Sequence, residues 1–331
     1  MTASREPAAD APGAAADPLA PAPVARGRMP DFFIVGHPKS GTTALYEMLR
    51  SHPEVFMPAL KEPRWFAPDL RGALEAAHTH GPRPQLPATL EEYLELFAPA
   101  GAGQRVGEAS PSYLRSAEAA GLIAAARPDA RIIAILREPA SFLRSLQLEL
   151  IRNQVETERD LARALAGEDR ASGSALPRYT DRVRYVEQLR RFAAVFPAEQ
   201  MLVLIYDDFR ADNLAVVRRV LSFIGVDESL PLRSVEANAS VEVRAIGADR
   251  LLGRVQAAQG PVARALKRAG GAVGLRRATL AARKQLLYGD PEPLAAGLND
   301  ELRRRFEPEV RALSEYLGRD LIALWGYDQL G

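Results

Sequence analysis

The stretch "GHPKSGTT", residues 36 to 43, has the residue types of a phosphate-cradling loop with one of them out of place. A P-loop runs G-x-x-x-x-G-K-[ST], its lysine directly after the second glycine. Gly36 and Gly41 keep that spacing, but Thr42 stands where lysine belongs and the cation is Lys39, two residues ahead of Gly41. The amides of such a turn and the start of the helix after it converge on an anion, because unpaired N–H groups and the helix dipole both favour negative charge there. Thr42 and Thr43 add hydroxyl donors in the first helical turn.

A second group of residues follows the apolar run "RIIAIL", which ends in Arg137, Glu138 and Pro139. Arg137 at the carboxyl end of a sheet strand faces the ligand crevice of an open α/β fold and can grip phosphate bidentately. The same residue also reads as an ordinary surface ion pair. Pro139 suits the first position of a helix, "PASFLRSLQLELIRNQ", which carries Ser145 about two turns from Arg137. A mid-helix serine alone reads as solvated or bonded to its own backbone; its spacing to Arg137 gives it weight. In P-loop kinases an Asp at a strand end helps to hold Mg²⁺. Here that role would fall to Asp207 or Asp208 in "LVLIYDD", which keeps an ATP-dependent metabolite kinase as an alternative.

These residues need a sheet edge to hold them. "DFFIVG" reads as a buried parallel strand feeding the loop, and "TTALYEMLRSHPEV" as a helix stopped before Pro53. Short apolar runs follow at 55–57, 105–109, 131–136 and 201–206, with helical stretches between them. The alternation predicts a doubly wound α/β fold. Residues 71–88, rich in Pro and Gly, read as a surface loop or lid that contains His78 and His80. Near the carboxyl end Leu302, Phe306, Val310, Leu313 and Leu317 recur at helical spacing and should pack on the core.

The 331 residues, 47% of them hydrophobic, suffice for one large domain. A net charge of +1 gives no overall positive field for nucleic acid, and the absence of cysteine removes disulfides and thiolate chemistry. Residues 1–28, dominated by Ala and Pro, read as a disordered tail without the apolar stretch of a signal peptide, leaving 29–331 as a single domain. No stretch is apolar enough to span a bilayer, and a cytoplasmic location is expected. From Arg244 to Lys284 there are ten basic residues against one acidic. They read as solvated helix faces, or as a patch for an anionic ligand or weak peripheral membrane contact.

"FFIVGHPKSGTTAL" followed by "RIIAILREPASFLRS" resembles the two-part signature of sulfotransferases that use 3′-phosphoadenosine 5′-phosphosulfate (PAPS). The resemblance implies a P-loop-NTPase-like three-layer fold with a central parallel sheet flanked by helices. It also implies that Lys39, Ser40, Gly41, Thr42 and Thr43 hold the phosphosulfate and that Arg137 and Ser145 hold the 3′-phosphate. Tyr185 and Arg244 complete the implied donor set, and no metal is expected. On this reading Lys39 sits where it neutralises charge on the oxygen that bridges phosphorus and sulfur.

"YVEQLRRFAAVFP", "VLIYDDF" and "RRRFEPEVRALSEYLGRDLIALW" are similar to later segments of the same family, the last to its heparan-sulfate and bacterial branch. "HPEVFMPALKEPRWF" resembles that branch's stretch with a catalytic glutamate, which maps onto Glu62; Lys39 is the second implied catalytic residue. Glu62 alternatively reads as a carboxylate paired with Lys61 or Arg64, and His52 is the second candidate for the base. Glu108 stands at a strand end where it could orient the acceptor or Lys39. Ala109 and Arg64 depart from the branch, where lysine and histidine are common. The implied reaction carries a sulfuryl group to a hydroxyl of a carbohydrate-like or small-metabolite acceptor. A non-catalytic nucleotide-binding protein on the same fold is the remaining alternative.

Overall fold

The computed structural model describes residues 28–76, 85–153, 155–168, 178–232, 242–243, 288–289 and 293–330. Five short strands carry the fold: β1 (Phe32–Gly36), β2 (Val55–Phe56), β3 (Arg105–Ala109), β4 (Arg131–Leu136) and β5 (Met201–Ile205). They coincide with the five apolar runs of the sequence. Their order is β2-β3-β1-β4-β5, and every pairing is parallel. Runs apolar at nearly every position belong in such a sheet, because both of its faces are covered.

Alternate residues of each strand point to opposite faces and build two cores. Phe33, Val35, Ile132, Ala134 and Leu136 face one. There they meet helices α4 (Ala119–Ala126), α5 (Pro139–Arg152), α7 (Tyr185–Ala193) and α10 (Ala296–Leu317). Phe32, Ile34, Ile133 and Ile135 face the other, against α1 (Thr42–Arg50) and α9 (Asn213–Ile224). The result is a three-layer α/β architecture with the sheet in the middle, as expected. Leu302, Phe306, Val310 and Leu313 are buried along α10, again as expected.

Shorter helices complete the frame: α2 (Pro68–Ala76), α3 (Leu90–Glu95), α6 (Leu161–Gly167), α8 (Tyr206–Ala211) and α11 (Leu321–Leu324). The expected loop at 71–88 is therefore corrected at its start, where residues 71–76 continue α2. Pro68 at the helix start and Asp69 in the first turn favour that helix more than Gly72 opposes it. His78 and His80 lie outside the described residues, as do Arg244 and nearly all of the basic stretch that follows it. Among the described residues no helix is long and apolar enough to cross a membrane.

β1 lies between β3 and β4. The connection from β1 leads toward the β2 side of the sheet, whereas the connection from β3 crosses over β1 to reach β4. Such a switch point opens a crevice at the carboxyl ends of the strands. The 36–43 loop and Arg137 both sit at its mouth.

Candidate active site

Gly36 ends β1 with φ +134°, and a Cβ there would lie 2.4 Å from the Ile135 carbonyl oxygen. Glycine lets the loop start this close to β4, and the His37 amide donates to that same oxygen at 3.1 Å. Lys39 also has left-handed backbone, φ 65°, and Gly41 follows at φ 83° as the residue that starts α1. No side chain caps α1, so its first-turn amides remain available to a ligand. Ser40 is fully buried, and its Oγ has no hydrogen-bond partner. Thr42 is buried and Thr43 exposed. The Lys39 ammonium forms no hydrogen bond or ion pair among the described residues. Burial lowers its pKa below the ordinary lysine value; Glu149 opposes this, and Arg152 and Arg137 add to it.

His37 underlies this loop. Its ring lies between Phe142 and Tyr185, at centroid distances of 4.8 and 4.3 Å, and Nε2 is 3.3 Å from Gln188 Oε1. Burial pushes its pKa down to about 3, so it is a neutral packing residue at working pH.

Arg137 joins the two sequence motifs directly. Its Nη1 donates to the Lys39 carbonyl at 2.8 Å, its Nε donates to Ser141 Oγ at 3.0 Å, and its guanidinium lies 4.8 Å from the Tyr206 ring centroid. The Tyr185 hydroxyl donates to the Arg137 carbonyl at 2.9 Å. Glu138 caps α5 by accepting from the Ala140 and Ser141 amides at 3.0 and 2.6 Å, which fixes the helix that also buries Ser145. The loop, Arg137 and Tyr185 are thus assembled in one place. Sequence reasoning missed Ser141 and Tyr206; the signals were a serine one turn after Arg137 and an aromatic residue at the end of an apolar strand.

The acidic pair considered for a metal has other work. Asp208 holds Arg319 in a two-pronged ion pair at 2.5 and 2.7 Å, and Asp207 accepts from Trp325 Nε1 at 2.9 Å. Both carboxylates therefore fasten the carboxyl-terminal segment to the turn after β5.

Across the crevice lies segment 61–66. The Glu62 amide donates to the Ala109 carbonyl at 3.0 Å, the Arg64 amide to Ser110 Oγ at 3.2 Å and the Phe66 amide to the Tyr113 hydroxyl at 3.2 Å. These bonds hold Glu62 and Arg64 in left-handed backbone, φ 61° and 56°. Among the described residues they and Lys39 are the non-glycine positions with positive φ. All three border the same crevice, and strain of this kind concentrates at functional sites.

The Glu62 carboxylate is doubly engaged: Oε1 accepts from Lys61 Nζ at 2.9 Å and Oε2 from Arg64 Nη2 at 2.6 Å. The ion-pair reading of Glu62 is therefore observed in the resting structure. Burial pushes its pKa up, but the two cations overcome that and hold the carboxyl at about 2. A cleft of about 720 Å³, partly open to solvent, runs between this segment and α5. Its lining includes Pro38, Glu62, Arg64, Ser112, Arg115 and Arg182.

Glu108 and His52 are not on that surface. Glu108 is fully buried and accepts from the hydroxyls of Tyr93 and Tyr113 at 2.7 and 3.0 Å. Burial pushes it up to about 7, against the pull of those hydroxyls. Tyr113 also accepts from the Phe66 amide, so Glu108 braces segment 61–66 from behind. His52 is buried after α1, 2.9 Å from the Asp227 carbonyl through Nε2, and its Nδ1 accepts from the Glu54 amide. That is a structural tether; of the two candidate bases, Glu62 is the one that lines the cleft.

The family model described as "Sulfotransferase family" matches residues 30–229. Carbohydrate sulfotransferase 15 of Homo sapiens is 45% identical over 69 residues, 21% of this chain and 12% of that protein. Human heparan sulfate glucosamine 3-O-sulfotransferase 6 is 36% identical over 130 residues, 39% of this chain and 33% of that protein. The aligned stretches thus span far less than two thirds of either relative. A sulfotransferase from Alicyclobacillus acidocaldarius superposes with a TM-score of 0.62 at 25% identity, over 89% of this chain and 98% of that one.

Proposed function

Because this chain belongs to the sulfotransferase family, we propose that it moves a sulfuryl group from PAPS to a hydroxyl of a carbohydrate-like or small-metabolite acceptor. One observation carries the choice of donor. Lys39 has no partner among the described residues, and it stands on a loop whose Ser40 hydroxyl and α1 amides also lack protein partners, beside an arginine already bound to the Lys39 carbonyl. These unmatched donors fit a multiply charged phosphosulfate. Ser40, Gly41, Thr42 and Thr43 would hold its 5′ end. Arg137 and Ser145 would hold its 3′-phosphate, with Tyr185 fixing the Arg137 backbone.

The donor supplies an activated sulfuryl group. The chain supplies position, charge and a proton acceptor. Lys39 and Arg137 neutralise the leaving nucleotide without calling on a divalent ion, and Lys39 stabilises charge as it builds on the departing oxygen. Glu62 takes the acceptor proton. Both of its oxygens are engaged, so the acceptor hydroxyl must displace one cation, and the loss of that neighbour raises the basicity of the carboxylate when it is needed. The carbohydrate relatives favour a sugar hydroxyl as acceptor. We further read residues 29–331 as one domain acting in the cytoplasm; expression of that span alone and cell fractionation check these two points.

The direct test is thermal shift. Adenosine 3′,5′-bisphosphate without metal is expected to raise Tm, and a mass-resolved screen of sugar and metabolite hydroxyls with PAPS is expected to show products 80 Da heavier, the mass of the added SO₃. Stabilisation by ATP with Mg²⁺ but not by the bisphosphate overturns the proposal in favour of a kinase. Binding of the bisphosphate with no transfer to any acceptor class favours a non-catalytic nucleotide-binding protein.

A further inference from the structure

Two guanidinium groups in the cleft form no ion pair among the described residues. Arg182 is 8% exposed, its Nε is buried without a hydrogen-bond partner, and it forms no ion pair among the described residues. Arg115, at the end of a short 3₁₀ helix (Pro111–Arg115), likewise forms no hydrogen bond or ion pair there through its side chain. Asp69 attracts Arg115, but its two oxygens accept from Ser116 Oγ at 2.6 Å and from the Ala117 amide at 2.9 Å. Ser112 lines the same cleft, 8% exposed, with a buried Oγ that has no partner.

The carboxylates nearest these arginines do not reach them. Glu62 is matched by Lys61 and Arg64; Glu149 and Glu168 attract Arg182, and Asp69 attracts Arg115, but none of these three carboxylates forms an ion pair with either arginine. Burial, then repulsion by Arg182 and Arg64, pushes Arg115 down to about 9. Two like charges kept partly out of water with no direct ion pair are costly unless a ligand supplies the anion.

We propose that Arg115, Arg182 and the Ser112 hydroxyl form an anion-binding subsite in the acceptor half of the cleft, so that the hydroxyl acceptor carries its own carboxylate, sulfate or phosphate. This deepens the sulfotransferase reading and rests on it. The position argues for the acceptor as the source of the anion: the three residues share the cleft with Glu62, whereas Ser40 and Arg137, on the donor side, are absent from its lining. An acid group gripped here would set the distance of a neighbouring hydroxyl from Glu62, because a planar guanidinium fixes a carboxylate or sulfate in orientation as well as in place.

The test begins with protein saturated with adenosine 3′,5′-bisphosphate and titrated calorimetrically with sodium sulfate at constant ionic strength. Saturable sulfate binding is expected, displaced by glucuronate and not by glucose. In the Arg115→Gln/Arg182→Gln protein, sulfate affinity is expected to fall about tenfold or more with bisphosphate affinity unchanged. If that protein does not fold, each single Arg→Gln variant carries the same comparison. No saturable sulfate binding, equal binding by the variants, or displacement by glucose overturns the subsite. Loss of bisphosphate binding in the variants assigns the arginines to the donor and overturns it too. Failure of the parent protein to bind the bisphosphate strikes the sulfotransferase reading first.

Discussion

The two halves of the crevice, which we assign to donor and acceptor, are built on opposite principles. On the donor side the protein binds itself mainly through its main chain: Arg137 holds the Lys39 carbonyl, and Tyr185 holds the Arg137 carbonyl. The Lys39 ammonium, the Ser40 hydroxyl and the first amides of α1 are left unmatched. On the acceptor side the Glu62 carboxylate spends both oxygens on Lys61 and Arg64. One half is ready for a ligand of fixed shape and charge. On the proposed reading, the other keeps its base, Glu62, paired until a ligand rearranges it. Pre-organisation favours tight capture, whereas a masked carboxylate makes reactivity depend on which acceptor arrives.

Replacing Glu62 tests this contrast with the largest effect. Glu62→Gln is expected to lower kcat about 100-fold or more while the calorimetric affinity for adenosine 3′,5′-bisphosphate stays within about twofold. Equal turnover by parent and variant would make Glu62 an ion-pair anchor and erase the contrast. Lys39→Ala should cost about 100-fold in kcat through lost stabilisation of the leaving group, as measured by single-turnover rates with PAPS. Arg137→Ala removes the grip on the Lys39 carbonyl and a phosphate ligand together. Its bisphosphate affinity should fall about tenfold or more, with a smaller change in the acceptor KM.

Two carboxylates, Glu108 within β3 and Glu62 on the segment bonded to its end, should respond to pH with opposite sign. Glu62 is held at about 2, below its usual 4.5, so the stability it contributes is present above pH 4.5 and lost as pH falls toward 2. Glu108 is held at about 7, above the usual value. Its contribution is full below pH 4.5 and lost as pH rises through 7, by about 3 kcal/mol. Gln at position 108 keeps an acceptor for the Tyr93 and Tyr113 hydroxyls but cannot ionise. Glu108→Gln should therefore show a flatter Tm between pH 5 and pH 8 than the parent, read by calorimetry; an unchanged slope would place that titration elsewhere. The smallest effect belongs to Arg319→Ala, which opens a pair whose side chains are each 37% exposed and should cost no more than about 1 kcal/mol in chemical denaturation.

The same contrast explains what could be read from the chain. The donor half is legible because eight contiguous residues make the loop and one strand-turn-helix carries Arg137, Pro139 and Ser145. Local spacing is all that such a site needs. The five strands were legible too, since apolar runs such as 131–136 have no other use. The acceptor half is gathered from segments at 61–66, 110–115, 146–153 and 182, and no periodicity links them. Glu62 emerged only from resemblance, and Arg115 and Arg182 were overlooked because an arginine in a turn usually faces water. The helix over 71–76 is hidden in the sequence, because Gly72 argues against it while its start signal, Pro68, lies ahead of the Pro- and Gly-rich stretch. Glu108 stands out for its place at a strand end, but its burial between two tyrosines depends on how α3 packs, which no local pattern reports.

The fastening of the carboxyl-terminal segment has a practical side. Arg319, Trp325 and Tyr327 reach Asp208, Asp207 and Glu138, which adjoin Tyr206 and Arg137. Trimming the chain from Arg319 onward should loosen the grip on adenosine nucleotides before it unfolds the sheet. A purification handle or surface-immobilisation anchor therefore belongs at the opposite end of the polypeptide, where it would pull on none of these three clasps.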